Sequence, residues 1–467
     1  MQSQCCGPAR LPRHREKESS ASNDNRIEPK EIQTVISRNF HQRFFHFTRF
    51  LALYLFLCFL VPAKAVDILS NPLADPPKWK RLEKYQRTIT HDEFERLIRE
   101  VYCSHEVSED LIRIEKNYAC ILMDQHAQTW FTLRFAKNEK TQRPVSNSWR
   151  PAQLIPHRTK ARLLSGLRVA LDPGHIGGSW AKMEERWFKM GDAPPVEEGE
   201  MTLRVAMLLA QKLRDLGARV SFVRDKNEPV TPFRPDDFAV VAREVLNAGG
   251  IENPPEDFEG PNDPLKEQSV RWHSEILFYR NSEIRHRARL VNSKLHPDLV
   301  LCLHFNAEAW GDELNPAFID RNHLHLLVNG SYLESELVFD DERFEMLQRL
   351  LSRTHNEELG IADTVAARMA KDTQLPPYQY TTENVTPVGA SGYVYARNLV
   401  ATRLYQCPVV YFEPYVMNND DVFARIQAGD YEGTRTINGT ERPSIYREYA
   451  DSVVKGLVDY YQQARKN

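Results

Sequence analysis

The chain predicts an α/β fold, a three-layer, mostly parallel sheet flanked by helices, preceded by a small α+β accessory domain. Three observations carry this reading. Short, nearly unbroken apolar runs at 167–172, 298–303 and 407–412 read as strands buried on both faces, the signature of a parallel sheet. A stretch with Leu203, Ala206, Met207, Ala210 and Leu213 at helical spacing lies between the first run and another strand at 218–224, which makes a βαβ-like unit. Turn residues punctuate these segments: Pro173 and Gly174 stop the first, Gly217 stops the helix, and Pro414 follows the last.

At 467 residues, with 42% apolar and 27% charged residues, the chain has room for two or three domains and a sizeable core. Its formal net charge of −3, with no basic stripe interleaved with aromatics, excludes nucleic acid as an expected partner. Residues 1–65 read as a leader with a signal peptide. Arg38, Arg43 and Arg49 precede an apolar run at 51–61, and Ala63-Lys64-Ala65 forms a cleavage site. That run is too short to cross a bilayer, so no stable membrane span is expected after cleavage. Cys5, Cys6 and Cys58 would leave with the leader; Cys103, Cys120, Cys302 and Cys407 would remain. Export permits a Cys103–Cys120 bridge, while Cys302 and Cys407, beside apolar runs, read as small buried residues. There is no Cys-x-x-Cys, and hence no support for a thiolate zinc site.

The remaining text divides at its Pro-rich stretches. Residues 66–81 form a linker, and 82–136 the accessory domain. There, Phe94, Leu97, Ile98 and Val101 recur at helical spacing, and runs at 118–123 and 129–135 read as a hairpin. A second linker at 137–165 leads to the main domain, 166–467. Within it, 225–279 is rich in Pro, Asp, Glu and Asn and reads as a surface insertion with one helix at 237–246. A basic helix at 283–292, strands at 297–304 and 323–329, acidic helical text at 332–360, a helix at 361–371 and a terminal helix at 446–462 complete the domain. His323 and His325 alternate with leucines and read as ordinary strand positions; His273 and His355 lie in polar text and read as solvated.

Several strands end in chemically active residues. His175 follows the first, His304 a later one and Glu413 the last, with Glu197, Glu198 and Glu200 at a helix start near the same edge. In open α/β sheets the carboxyl edge is where ligands bind. Two imidazoles and a carboxylate with one open position are a catalytic zinc set, and a further free carboxylate would serve as base. The glutamates also suit the positive end of a helix dipole, so the choice among them stays open on these grounds.

The wording around these residues narrows the reading. Asp172-Pro-Gly-His175-x-Gly-Gly, Glu198 with Leu203 and Ala206, Arg287-x4-Asn292-x5-Asp298, His304-x-Asn306-Ala307 and Val410-x2-Glu413-x5-Asn419 follow in this order. Together they resemble the zinc-dependent N-acetylmuramoyl-L-alanine amidases of the type 3 family over about residues 167–463. The resemblance implies one Zn2+ held by His175, a glutamate and His304, with Glu413 as the catalytic carboxylate. Glu198 keeps the family spacing; Glu200 is the first alternative ligand and Glu197 the second. It also implies peptidoglycan as partner and substrate, a bacterial, exported, periplasmic or wall-associated location, and room for a protein activator. Arg224, Arg287, Asn306 and Arg397 are the substrate-binding candidates; for Arg224 and Arg287 a structural ion pair, with Asp172 for example, is the alternative. Some family members carry an inhibitory helix between the second histidine and the last glutamate, which would make 334–358 a cover over the site. Ile176 and Pro414 depart from the family's usual glycine and small residue, and 225–279 is longer than its usual loop. The competing readings are a zinc carboxypeptidase or deacylase acting on another amide, and a non-catalytic protein of the same fold that binds wall peptides or regulates a partner.

Overall fold

The computed structural model describes residues 76–103, 105–156, 162–309, 311 and 315–465. The leader expected at 1–65 lies outside the described residues. Among the described residues, no helix is long and apolar enough to cross a membrane.

The N-terminal unit opens with a 3-10 turn, Trp79–Tyr85, and helix α1 (His91–Leu97), where the Thr90 side chain accepts the Glu93 N–H as N-cap. Strands β1 (Ile112–Glu115), β2 (Tyr118–Asp124) and β3 (Thr129–Arg134) form an antiparallel sheet. β2 and β3 are the expected hairpin; β1 is additional. Cys103 and Cys120 are both buried, and among the described residues no disulfide joins them, unlike the bridge that export would permit.

In the main domain the elements run β4 (Arg168–Pro173), a ribbon of β5 (Trp187–Phe188) and β6 (Val196–Glu197), α2 (Glu198–Asp215), β7 (Arg219–Phe222), α3 (Ala239–Ala248), α4 (Val270–Ile276), α5 (Glu283–Leu290) and β8 (Leu299–Leu303). They continue with β9 (Leu324–Val328), α6 (Glu334–Leu337), α7 (Asp340–Ser352), α8 (Thr354–Thr373), β10 (Val385–Val388), β11 (Val394–Arg397), α9 (Val400–Leu404), β12 (Val409–Pro414), α10 (Asp420–Gln427), the hairpin β13 (Thr434–Ile437) and β14 (Thr440–Pro443), and α11 (Ile445–Ala464). Seven strands make one sheet in the order β10-β11-β9-β12-β8-β4-β7. β7, β4, β8 and β12 are mutually parallel, β9 runs antiparallel to β12, and β10 antiparallel to β11. One face is covered by α2, α8 and α11, where Val205, Leu209, Val365, Met369, Val453 and Leu457 meet Leu171, Leu301, Leu326 and Phe412. On the other, Ala288, Val291 and Tyr405 meet Ala170, Val300 and Val409. The three layers follow from the apolar strands, which need cover on both faces.

Several expectations change here. Residues 225–279 are not a loose surface insertion: Phe238, Ala242, Val245, Leu246, Trp272, Ile276 and Phe278 build a core of their own, into which the fully buried Ile176 inserts. α4 lies within this segment, and its His273 is buried with Nε2 against the Glu267 carbonyl at 2.9 Å. The acidic segment does not cover the candidate site. α7 turns Phe344, Met346, Leu347, Leu350 and Leu351 into the core of the N-terminal unit, against Leu82, Phe94 and Phe131. His355 is likewise buried, in α8, which begins at Thr354 and not near 361. The linker 137–165 is also tied down in part: Arg150 and Arg168 both clasp Asp298 at the start of β8, each at 2.6 Å.

Candidate active site

The sheet register alone brings three of the expected residues to one edge. Pro173 and Phe412 both pair with Leu303, so the residues that follow these three strands emerge side by side. His304 is the next residue after Leu303, Glu413 the next after Phe412, and His175 lies two beyond Pro173.

Two glycine contacts then set the spacing. A Cβ on Gly174 would lie 2.1 Å from His304 Cε1, so the first strand can reach the second histidine only as glycine. Gly199, at the start of α2, abuts Gly177: a Cβ there would lie 2.3 Å from the Gly177 nitrogen. This contact presses the N-terminus of α2 against the His175 turn and delivers the buried Glu198 between the two imidazoles.

Glu198 Oε2 lies 3.2 Å from His175 Nε2, and Oε1 lies 3.1 Å from His304 Nδ1. One ligating atom from each of the three falls within 4.8 Å of the others. Ligand atoms at tetrahedral zinc distances stand about 3.3 Å apart, and the donor set of two imidazoles and one carboxylate leaves a position open. The residues present therefore fit such an ion. Glu200 is exposed and pairs with Arg204 at 3.0 Å, and Glu197 sits at the end of β6, so neither alternative joins the cluster.

Burial pushes the Glu198 carboxyl up, but His175, His304 and Arg186 together outweigh it and bring it down to about 2. Burial holds His175 well below the usual imidazole range, against the pull of Glu198. The His304 ring stacks on Tyr411, with centroids 4.2 Å apart and planes at 16°, which fixes its orientation by packing. His175 is fixed differently. Its backbone is left-handed at φ +56°, a strained conformation for a side-chain-bearing residue. The turn is held by Arg287, which donates to the His175 carbonyl at 2.8 Å, and by Glu184, whose carboxylate accepts the Ile176 N–H at 2.8 Å and the Gly177 N–H at 3.1 Å.

Glu413 is half-buried, and its carboxylate accepts no hydrogen bond from a described residue. Burial, reinforced by the Glu198 charge, holds it well above the usual carboxylate range, with Arg186 and Arg397 opposing. Arg397 is half-buried at the end of β11 and lies over the Tyr380 ring at 5.7 Å. Asn306 is half-buried too; its backbone pairs with Tyr415 and Met417 at 2.9 and 2.8 Å, tying the His304 strand to the segment after Glu413.

For Arg287 the structural alternative is the one observed: it is buried against Asp172 at 2.9 Å and Glu283 at 2.7 Å. Arg224 is also buried, but its partners are carbonyls, Gly199 at 2.7 Å and Lys226 at 2.8 Å among them. Burial brings its pKa down to about 9. Both arginines brace the His175 turn.

Sequence reasoning missed Glu184 and Arg186. Glu184 is buried with Oε1 3.6 Å from His175 Nδ1, and Arg186 Nε lies 3.4 Å from Glu198 Oε2. Both sit in charged, aperiodic text; the one available signal was their position between the first histidine and the glutamates.

No protein-family model and no curated protein matches the chain. Among solved structures it is similar to the apo form of the N-acetylmuramyl-L-alanine amidase from Mycobacterium abscessus, at 18% identity and a TM-score of 0.34, covering 63% of this chain and 99% of that one. It is also similar to the N-acetylmuramoyl-L-alanine amidase AmiC2 of Nostoc punctiforme, at 14% identity and a TM-score of 0.31, covering 64% and 99%. The CwlD amidase from Clostridioides difficile, solved in complex with the GerS lipoprotein, gives 9% identity and a TM-score of 0.34, covering 64% and 99%.

Proposed function

We propose that this chain is an exported zinc hydrolase that cleaves the amide between the lactyl group of N-acetylmuramic acid and the L-alanine of the peptidoglycan stem. The observation that carries the chemistry is the convergence of His175, Glu198 and His304, with ligating atoms within 4.8 Å of one another, on the sheet edge that also presents Glu413. The substrate follows from the ordered motifs around those four residues, and export from the leader at 1–65.

His175, Glu198 and His304 would hold the zinc. When bound, it supplies Lewis acidity toward the amide carbonyl. Glu413 takes the proton of the attacking water and returns it to the leaving amine of L-alanine. Its carboxylate suits this because no described residue occupies its lone pairs. Arg287 and Glu184 keep the strained His175 turn in place, and Tyr411 keeps the His304 ring aligned, so the ligands are organised before substrate arrives.

The test is digestion of purified peptidoglycan with mass analysis of the products. Free stem peptides with an intact L-alanine amino end are expected, and no such release from zinc-loaded protein would sink the proposal. Glu413→Gln should retain zinc and lose turnover by roughly 100-fold or more, the scale of a missing general base. Products cut elsewhere in the stem would instead favour the carboxypeptidase reading.

A further inference from the structure

Glu184, Glu185 and Arg186 are consecutive, yet each serves a different neighbour. Glu184 turns to the His175 turn, as above. Glu185, with a left-handed φ of +55°, turns to the 225–279 segment and pairs with Lys266 at 3.1 Å and Trp272 Nε1 at 3.3 Å. Arg186 turns to the site. Its Nη1 donates to the Glu185 carbonyl at 2.8 Å and its Nε faces Glu198, while its Nη2 donates no hydrogen bond to a described residue and its side chain is 37% exposed. Arg224 and Arg287, by contrast, are buried and spend their N–H groups on the protein.

The charges around the cleft favour an anion. A divalent zinc beside Glu198 and Glu413 leaves no net charge, and Arg186 and Arg397 then add two positive charges to the open side. Buried Glu184 offsets one of them, and Arg224 and Arg287 are balanced by Asp172 and Glu283. With zinc counted, the surplus around the ligand cluster is positive.

We propose that Arg186 is the anion-recognising residue of this site and holds the free α-carboxylate of the stem residue that follows L-alanine. This rests on the amidase reading. In peptidoglycan that residue is a D-glutamate joined through its γ-carboxyl, so its α-carboxylate is either free or amidated. The carboxylate stands about 7 Å from the scissile carbonyl, roughly two peptide units. Arg186 Nε stands 3.4 Å from the carboxylate of Glu198, one of the proposed zinc ligands, so its side chain borders the cluster. With Nη1 and Nε already turned to the protein, Nη2 is the nitrogen left to donate to a carboxylate, and that charge-assisted bond weakens when the acid becomes an amide.

The experiment uses two soluble muramoyl peptides that differ only in whether this α-carboxylate is free or amidated. Wild-type protein is expected to prefer the acid by roughly 10- to 100-fold in kcat/KM, mainly through KM, the scale of a charge-assisted hydrogen bond. Arg186→Gln should bring the acid down to the level of the amide, and Arg186→Lys should keep part of the preference. Calorimetry on zinc-loaded protein gives a second readout: L-alanyl-γ-D-glutamate should bind more tightly than its α-amide, and Arg186→Gln should remove the difference. Equal cleavage of both substrates by wild type, or a preference that survives Arg186→Gln, overturns the inference and leaves the amidase reading standing. If neither substrate releases an L-alanine amine, the amidase reading fails, and the dipeptide binding alone decides whether Arg186 recognises the anion.

Discussion

The sheet carries two additions, and they sit at opposite edges. The 225–279 segment packs at the carboxyl edge of β4: its core takes in Ile176, and Val230 and Thr231 donate to the Glu283 carboxylate that pairs with Arg287. The N-terminal unit packs at the other edge. β9 runs antiparallel to β12, so the residues after Val328 lie away from Glu413, and there Ser331 and Tyr332 donate to the Val101 and Tyr102 carbonyls at 2.7 Å each. Both additions bury apolar side chains, but only the first reaches residues that touch a proposed ligand. A graft next to a strained turn can tune chemistry; one at the far edge contributes stability.

The sharpest comparison truncates one buried side chain on each side. Leu347→Ala, in α7 against the N-terminal unit, and Ile176→Ala, in the 225–279 core, should each lower stability by about 2–5 kcal/mol. Thermal melts would show both losses. Zinc competition should separate them, with affinity reduced in Ile176→Ala and unchanged in Leu347→Ala. Equal loss of zinc in the two would break the comparison.

The far edge carries its own pH signature. Burial, aided by Arg96 and Arg349, lowers His355 to about 4, and its Nδ1 is buried without a partner near the Tyr102 ring. A histidine with a depressed folded pKa takes up protons more readily when unfolded, so stability falls as pH drops from about 6.5 toward 4. The loss approaches about 3 kcal/mol at the acid end. His355→Phe should flatten this limb of a stability–pH curve while leaving zinc affinity alone. An unchanged acid limb would remove His355 as its cause.

These two edges were not equally legible in the sequence. Strands ending in His175, His304 and Glu413 stood out because a strand buried on both faces is written as an apolar run, and the register does the rest. Glu198 was singled out by spacing to Leu203 and Ala206. Harder to see was the 225–279 core, whose anchors Phe238, Trp272 and Phe278 are scattered through Pro- and Asp-rich text that resembles a solvated loop. His273 and His355 were misread for the same reason: polar neighbours hide the buried face of a helix. The direction of β9 has no local signal at all, and it decides which edge the N-terminal unit occupies.

Glu184 gives the finest test of the difference. Its Oε1 lies 3.6 Å from His175 Nδ1, the nitrogen turned away from Glu198, where a carboxylate fixes the tautomer and orientation of a ligating imidazole. Its oxygens also accept the Ile176 and Gly177 N–H groups, and Glu184→Gln keeps one acceptor for them, so the turn should hold. What is lost is the negative charge behind the ring. The expected cost is about 10- to 100-fold in zinc affinity, or about 1.4–2.7 kcal/mol. Glu93→Gln, which loosens a pair with Arg353 at 2.9 Å on the N-terminal side, serves as the matched control and should leave zinc binding unchanged. Zinc affinity insensitive to Glu184→Gln would mean that His175 is oriented by its strained backbone and Arg287 alone.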